Sequence, residues 1–179
     1  TLSLHDRSSD LSYQSPMYVV SSVSSDNPDF SHSKVSYSYN GAHIHRLGKG
    51  FLGFEKVTSI DSVSSFKTID EYEYNSTFFN VSLKRKSLYT LPVGPISEEL
   101  VAQTTITNAV TDLGSQRYFS YVSSSSEINY LSSTSVTKQY SYDSNGNLTT
   151  YREDFDDGSY NTVTNSDFSS AETWLSARP

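Results

Sequence analysis

Tyr37-Ser38-Tyr39-Asn40 is the most informative phrase of this sequence for its fold, because it recurs. It returns as Tyr72-Glu73-Tyr74-Asn75 and as Tyr140-Ser141-Tyr142-Asp143. The copies start at residues 37, 72 and 140, so the second interval is about twice the first. Thr105-Ile106-Thr107-Asn108 fills the empty slot, with the alternation and the final Asn but without the tyrosines. Four units of roughly 34 residues, each a strand-like run that ends at a turn residue, predict a repeat array.

The composition favours β-structure over helix. Only 35% of the 179 residues are hydrophobic, but 14 are Tyr and nine are Phe. Tyrosine combines an apolar ring with a polar end, which suits a half-exposed sheet face. The units alternate with period two and are rich in Ser, Thr and turn residues, so helical-hairpin repeats of similar length do not fit. The sequence therefore predicts an all-β protein.

Charge and cysteine content exclude several classes of function. The net charge is −7 and the only basic cluster, Lys84-Arg85-Lys86, is three residues long, which argues against nucleic-acid binding. The absence of cysteine excludes disulfides, thiolate zinc sites and a cysteine nucleophile. No apolar run approaches the roughly 20 residues of a membrane span. We therefore expect no cofactor, no nucleic acid and no membrane span in this segment.

Alternation and turn residues predict about ten short strands in an antiparallel meander of stacked hairpin repeats. Residues 1–16 are expected to be a polar lead-in, 17–165 the repeat region and 166–179 a tail, with a short helix over 169–177. Because residue 1 is Thr rather than Met, the chain is expected to be a piece of a longer protein.

Several local features refine this meander. The pattern predicts strands over 17–23, 116–123 and 127–131. Asn40-Gly41 has the composition of a tight hairpin turn, and Asp143-Ser144-Asn145-Gly146-Asn147 is the strongest turn signal in the chain.

Tyr142-Asp143-Ser144-Asn145-Gly146-Asn147-Leu148, followed by Asp157-Gly158, resembles a tyrosine–aspartate (YD) repeat of the Rhs family. A longer match lies upstream and includes Tyr37-Ser38-Tyr39-Asn40-Gly41 and Arg46-Leu47-Gly48-Lys49-Gly50-Phe51-Leu52-Gly53-Phe54. That stretch resembles the shell of SpvB-type virulence proteins and of the B component of insecticidal toxin complexes. The two matches cover roughly residues 17–90 and 135–165, and residues 91–134 fit only through their spacing.

The resemblance implies a curved sheet that forms part of a hollow β-shell around a C-terminal toxin or effector region. It implies a non-catalytic segment, secreted or on the bacterial surface, whose main partner is the remainder of its own longer chain. A host or competitor cell surface would be a further contact. Open sheet edges also favour self-association. The expected structural motif residues are Tyr37, Tyr39, Gly41, Arg46, Gly48, Gly50, Phe51, Gly53, Phe54, Tyr72, Tyr74, Tyr140, Tyr142, Asp143, Gly146, Asn147, Leu148 and Gly158.

Three patterns suggest chemistry, and each has a structural alternative. Gly48 to Gly53 fits G-x-G-x-x-G, but the nucleotide interpretation needs a helix next, and a strand-like run follows. His43 and His45 alternate and, with His32, could bind zinc or simply lie on the sheet. Carboxylates at 154, 156 and 157 could bind calcium or form a turn. An adhesion module that presents aromatic rings to glycans or proteins is the alternative function.

Overall fold

The protein is described by a computed structural model over residues 17–26, 32–45, 50–92, 97–115 and 117–165. These residues form ten β-strands and no helix. The strands are β1 (Ser22–Asp26), β2 (His32–His45), β3 (Gly50–Asp61), β4 (Phe66–Asn75), β5 (Asn80–Thr90), β6 (Glu99–Gly114), β7 (Arg117–Asn129), β8 (Thr134–Tyr142), β9 (Leu148–Phe155) and β10 (Tyr160–Thr164). The predicted C-terminal helix and the polar lead-in lie outside the described residues.

The chain divides into two compact units, Thr1–Val101 and Ala102–Pro179. In the first unit, the strands from β1 to β5 pair with one another in sequence order, always antiparallel. In the second unit, β6 to β10 do the same. Each unit is thus an open meander, and the prediction of an all-β antiparallel meander of about ten strands is confirmed.

The repeat has a simple structural meaning. The four copies that begin at residues 37, 72, 105 and 140 lie on β2, β4, β6 and β8, which are alternate strands of the chain. One repeat is therefore one strand pair with its two turns. A period of this kind can be extended by adding hairpins, because each strand needs only its two neighbours for its backbone hydrogen bonds.

Little side-chain core supports either unit. Val101, which is 6% exposed, is the only buried hydrophobic residue in the described part of the chain. Three polar residues, Ser87, Ser125 and Asn147, are equally buried. Backbone ladders and ring contacts on the sheet surface must therefore supply most of the stabilisation, since there is no second layer within each described meander to bury an apolar face.

The second unit separates its side chains by face. Tyr140 lies directly opposite Tyr151, and Lys138 lies opposite Glu153, so these four side chains share one side of the β8–β9 pair. We call this side, with the aromatic residues of β7 that contact it, the aromatic face. The alternate residues pair Gln139 with Arg152 and Ser141 with Thr150 on the opposite, polar face. Tyrosines therefore lie on one side of this strand pair, and Gln, Arg, Ser and Thr side chains lie on the other.

Three turns share one design. Asp61, Asn75 and Asn129 each end a strand, and each side-chain oxygen accepts the backbone N–H groups two and three residues later, at 2.9–3.3 Å. The fifth residue of each turn then has positive φ, at Ser65, Phe79 and Ser133. The Asx side chain replaces backbone partners that the turn cannot supply.

Several local predictions are wrong. Asn40 and Gly41 form no hairpin: they lie inside the 14-residue β2, where Gly41 has φ +64°. The register between β2 and β3 holds the chain extended there, and tertiary pairing overrides local turn propensity. The first strand begins at Ser22 rather than at residue 17, and β7 is one strand where two were predicted.

Candidate functional site

The YD phrase forms the hairpin between β8 and β9, and the side chain of Asp143 organises it. Its Oδ1 accepts the backbone N–H groups of Asn145 and Asn147 at 2.8 Å each, and its Oδ2 accepts the Asn147 side-chain amide at 2.8 Å. These bonds favour the carboxylate form, and those from Asn147 contribute most, so the pKa of Asp143 is lowered. The backbone N–H of Asp143 also donates to the carbonyl of Asn147 at 3.0 Å, which closes the hairpin.

Two separate constraints require glycine at position 146 of this turn. Its φ of +85° lies in the left-handed region that an L side chain rarely adopts. An added Cβ would also lie 3.1 Å from Cε2 of Phe119, so the ring of β7 packs directly on the backbone of the turn. Gly158 in the β9–β10 turn has nearly the same φ, +81°, but an added Cβ there would meet nothing within 4 Å.

A cluster of rings connects the turn to the aromatic face. The rings of Phe119 and Tyr121 stack with centroids 5.0 Å apart, and both contact Tyr142, at 5.6 and 5.0 Å. Tyr140 and Tyr151 make a further contact at 5.3 Å. Burial of the phenol in this cluster raises the pKa of Tyr142. The rings bury apolar area on each other, which a thin sheet otherwise cannot provide.

Charged groups extend the aromatic face beyond the rings. Lys138 Nζ lies 2.7 Å from Glu127 Oε1, and this hydrogen bond raises the pKa of the lysine. The hydroxyl of Tyr151 donates to Glu153, and desolvation by burial together with that carboxylate raises the pKa of Tyr151. Each carboxylate is matched by a donor on a neighbouring strand or on its own strand.

In the first unit the motif residues gather around His43. Glu55 lies across the backbone of Gly41 to place its carboxylate 3.1 Å from His43 Nε2. An added Cβ at Gly41 would overlap the Glu55 side chain, so only glycine leaves room for this path. The imidazole of His43 also stacks on Tyr74, with centroids 4.8 Å apart. Gly41 is therefore the position at which the Glu55 side chain passes over the β2 backbone, and it is not a turn residue.

Several other motif residues of the first unit join β2 to its neighbours. Tyr39 contacts Phe54 at 4.7 Å, and Phe54 contacts Phe51 at 5.1 Å, so β2 and β3 are joined by rings. Gly53 lies opposite His43 in the register, and an added Cβ would be 3.5 Å from Val81. The hydroxyl of Tyr39 donates to the carbonyl of Val20 at 2.9 Å, ahead of β1.

The remaining motif residues have simpler places. Tyr37 donates its backbone N–H to the carbonyl of Ser21 at 2.8 Å. Gly50 starts β3, Tyr72 lies on β4 opposite Leu83, and Leu148 starts β9 opposite Tyr142. Arg46 and Gly48 lie outside the described residues.

The suggested chemical sites do not assemble. Gly50 and Gly53 lie within β3, which continues as a strand to Asp61, so the helix that a nucleotide site requires does not follow. His43 contacts Glu55 and Tyr74, whereas His45 contacts Phe79. Among the described residues no group of three or more His, Cys, Asp or Glu could hold a metal ion.

The acidic run of the β9–β10 hairpin has separate partners for each carboxylate. Asp154 pairs with Arg152, Asp156 accepts from Ser135, and Asp157 accepts the backbone N–H of Ser159 at 2.9 Å. The pKa of Asp154 is lowered by the arginine, and that of Asp157 by hydrogen bonds from Ser159. The carboxylates stabilise the hairpin and do not converge on one point.

Sequence reasoning missed Phe119, Tyr121 and Glu55. A signal for Phe119 was present, because it follows Phe51 by 68 residues, the interval that separates Tyr72 from Tyr140. Glu55 had no such signal, since its contact with His43 depends on the register between β2 and β3.

Comparison with known proteins gives two partial matches. The family model described as "Insecticide toxin TcdB middle/N-terminal region" matches residues 4–82. The solved structure titled "Crystal Structure of TcdB2-TccC3" is similar, with a TM-score of 0.54 and 13% identity. That match covers 68% of this chain, and the chain spans 9% of the length of the solved one. No curated protein matches the chain.

Each match supports a limited statement. At 13% identity the solved structure shows a shared fold, and the family model covers the first unit without its end. No helix in the described part of the chain is long and apolar enough to cross a membrane. The chain is therefore similar, in part of its sequence and in its fold, to components of insecticidal toxins of the Tc type.

Proposed function

We propose that this chain is a non-catalytic wall segment of a larger toxin-complex protein of the Rhs/YD and SpvB type. In that protein the sheet forms part of a β-shell that encloses or presents a C-terminal toxin or effector region. The observation that carries this proposal is the placement of one repeat on every second strand of an open meander. Such a sheet grows by adding hairpins, which is what a large wall requires.

Two further observations support a wall. The aromatic face and the polar face of the second unit differ in chemistry, as the two sides of an enclosure do. The hydrogen bonds of Asp143 hold its turn together, and the contact between Glu55 and His43 passes over the backbone of Gly41. These residues stabilise the sheet and its turns, so the role that we propose for them is structural. Secretion or surface display follows from the same proposal.

The wall is tested by photo-crosslinking in the full-length protein. A benzoylphenylalanine replaces Tyr140 on the aromatic face, and in a matched variant it replaces the adjacent Ser141 on the polar face. Because a wall separates an enclosed side from the solvent, one variant should cross-link to the C-terminal region of the same polypeptide and the other should not. Equal cross-linking from both faces, or none from either, would contradict the enclosure.

The alternative is an adhesion module that presents rings to glycans or proteins. Most tyrosines of the phrases do not suit this role, because Tyr39, Tyr74, Tyr140 and Tyr142 pack on other rings. Tyr160 is the better candidate, since it is 61% exposed and carries the Arg152 guanidinium 4.5 Å from its centroid. Glycan-array binding that is lost in Tyr160→Ala would favour the adhesion module over the wall.

A further inference from the structure

Tyr140 and Tyr151 form a directly opposed pair of phenol rings on the aromatic face. The two residues are register partners on β8 and β9, and their ring centroids lie 5.3 Å apart. Side chains that lie directly opposite on one face of an antiparallel pair are held within contact distance by the backbone ladder. Both residues are half-buried, so part of each ring remains open to solvent.

The hydroxyl of Tyr151 has a proton acceptor within hydrogen-bond reach. It donates to the carboxylate of Glu153, the next residue of β9 on the same face. Lys138 lies opposite Glu153 in the register, so a positive charge faces that carboxylate. A phenol loses an electron more readily when its hydroxyl proton leaves at the same time, because the radical cation that would otherwise form is a strong acid. Glu153 is placed to receive this proton.

A second pair of tyrosine rings in the same unit provides a comparison. The ring centroids of Tyr121 and Tyr142 are 5.0 Å apart, and both rings also contact Phe119. In the part of the chain that the structure describes, neither hydroxyl of this pair donates to a carboxylate. The two pairs therefore have similar ring separations, and they differ in the proton acceptor.

The composition makes tyrosine the main target of an oxidant. The chain has no cysteine, one methionine and one tryptophan, against 14 tyrosines. Thiols and thioethers are the side chains that peroxides commonly attack. Because this chain carries few such groups, few side chains compete with tyrosine for the oxidant.

We propose that Tyr140 and Tyr151 are a site of oxidative cross-linking, at which peroxide acting through a haem peroxidase joins the two rings as dityrosine. Each phenol loses one electron and its hydroxyl proton, and the proton of Tyr151 passes to Glu153. The two phenoxyl radicals couple through the ring carbons next to the hydroxyl-bearing carbons, and the hydrogens on those carbons then move to the oxygens. One peroxide takes up the two electrons and two protons and leaves as two water molecules.

The cross-link would enclose the YD turn. The chain from residue 140 to residue 151, which includes Asp143 and Gly146, would become a covalently closed loop. A covalent link between two strands restricts the unfolded chain, so it should stabilise the hairpin further than the hydrogen bonds of the turn do. This site goes beyond the proposed wall function and does not rest on it.

The test treats the purified 179-residue chain with hydrogen peroxide and a haem peroxidase. The 20.0 kDa monomer is then isolated under denaturing conditions, which removes copies that have become joined to one another. Trypsin and an endoprotease that cleaves before aspartate release residues 139–142 and 143–152 as separate peptides. We expect mass spectrometry to find these two peptides joined, with a mass two hydrogens below their sum and with dityrosine fluorescence.

Substitutions assign the cross-link to its residues. Tyr140→Phe and Tyr151→Phe should each abolish the joined peptides, whereas Tyr142→Phe should leave them. Glu153→Gln should slow their formation several-fold, because the proton acceptor is lost. Glu127→Gln is the matched control: it removes an equal charge from the same face, where Glu127 pairs with a lysine and not with the phenol, and it should leave the rate unchanged. Circular dichroism of each variant checks that the sheet is intact.

Four results would overturn the proposal. One is a treated monomer in which the two peptides are not joined. Another is a cross-link that persists in Tyr140→Phe, because it would then belong to Tyr142. A third is the joining of residues 118–138 to residues 139–142 in place of the expected peptides, which would assign the reaction to the second tyrosine pair. The last is an equal rate in Glu153→Gln and the wild type, because Glu153 would then not receive the proton.

Discussion

The side chain of Asn147 donates to Asp143 Oδ2 at 2.8 Å while its backbone N–H donates to Asp143 Oδ1, also at 2.8 Å. Asn147 is 3% exposed, and its own Oδ1 has no hydrogen-bond partner among the protein atoms of the described residues. Asp143 and Asn147, which begin and end the YD turn, are therefore joined by hydrogen bonds. The Asp143 carboxylate accepts three hydrogen bonds in this turn. This explains why the phrase combines Asp at one end with Asn at the other.

Asp143 should make the stability of the chain depend on acid. Its folded pKa is lowered, so its contribution is present above the unfolded pKa, near 4, and is lost as pH falls through the lower folded value. Urea unfolding between about pH 2 and 6 should show this loss in the wild-type chain.

Asp143→Asn is the matched variant for this measurement. It should lower the free energy of unfolding at pH 7 and weaken the dependence of that free energy on pH. The dependence that remains would come from Asp61, Asp154 and Asp157, whose pKa values are also lowered. An identical slope in the variant and the wild type would mean that the carboxylate does not hold the turn.

Gly146→Ala should destabilise the chain more than Gly158→Ala. Both residues have φ above +80°, and a left-handed conformation costs a residue with Cβ about 1–2 kcal/mol. Only at Gly146 must the ring of Phe119 also move away from the new methyl group. Guanidinium unfolding of both variants measures the difference. An equal loss of stability in the two variants would show that the Phe119 ring moves aside without destabilising the chain.

Gly41→Ala should destabilise less in a chain that already carries Glu55→Ala. The added methyl group of Gly41→Ala collides with the Glu55 side chain, and moving that side chain breaks its contact with His43. Once Glu55 is shortened, only the cost of the positive φ remains. A double-mutant cycle on thermal stability should therefore be non-additive. Additive effects would show that Glu55 leaves the Gly41 backbone freely.

Tyr151 should remain protonated at higher pH than an ordinary tyrosine. Because its folded pKa is raised above the unfolded value, its contribution is complete below pH about 10 and is lost as pH rises towards the folded pKa. Glu153→Gln removes the nearby charge and should lower the pKa of Tyr151. Ultraviolet titration of the phenol measures the change, with Tyr151→Phe to assign the signal. An unshifted titration in the glutamine variant would remove Glu153 as a cause.

The sequence determined the fold class through its periods. Alternation with period two specifies strands, and the phrase spaced by about 34 residues specifies where a strand pair begins again. The turns at Asp143 and Gly158 were also readable, because their bonds run between residues only a few positions apart. Local chemistry is sufficient wherever the partners are local.

Other features depend on contacts between residues that are distant in the sequence. Asn40-Gly41 looks like a hairpin in isolation, but pairing with β3 keeps it in a strand and turns Gly41 into the passage for Glu55. The Phe119 ring reaches Gly146 across 27 residues of sequence, so its contact depends on strand register. Register is fixed by the sum of many cross-strand pairs, and a shift of one residue would move each side chain to the other face. These cross-strand pairs form only in the folded sheet, so a local stretch of sequence does not specify the register.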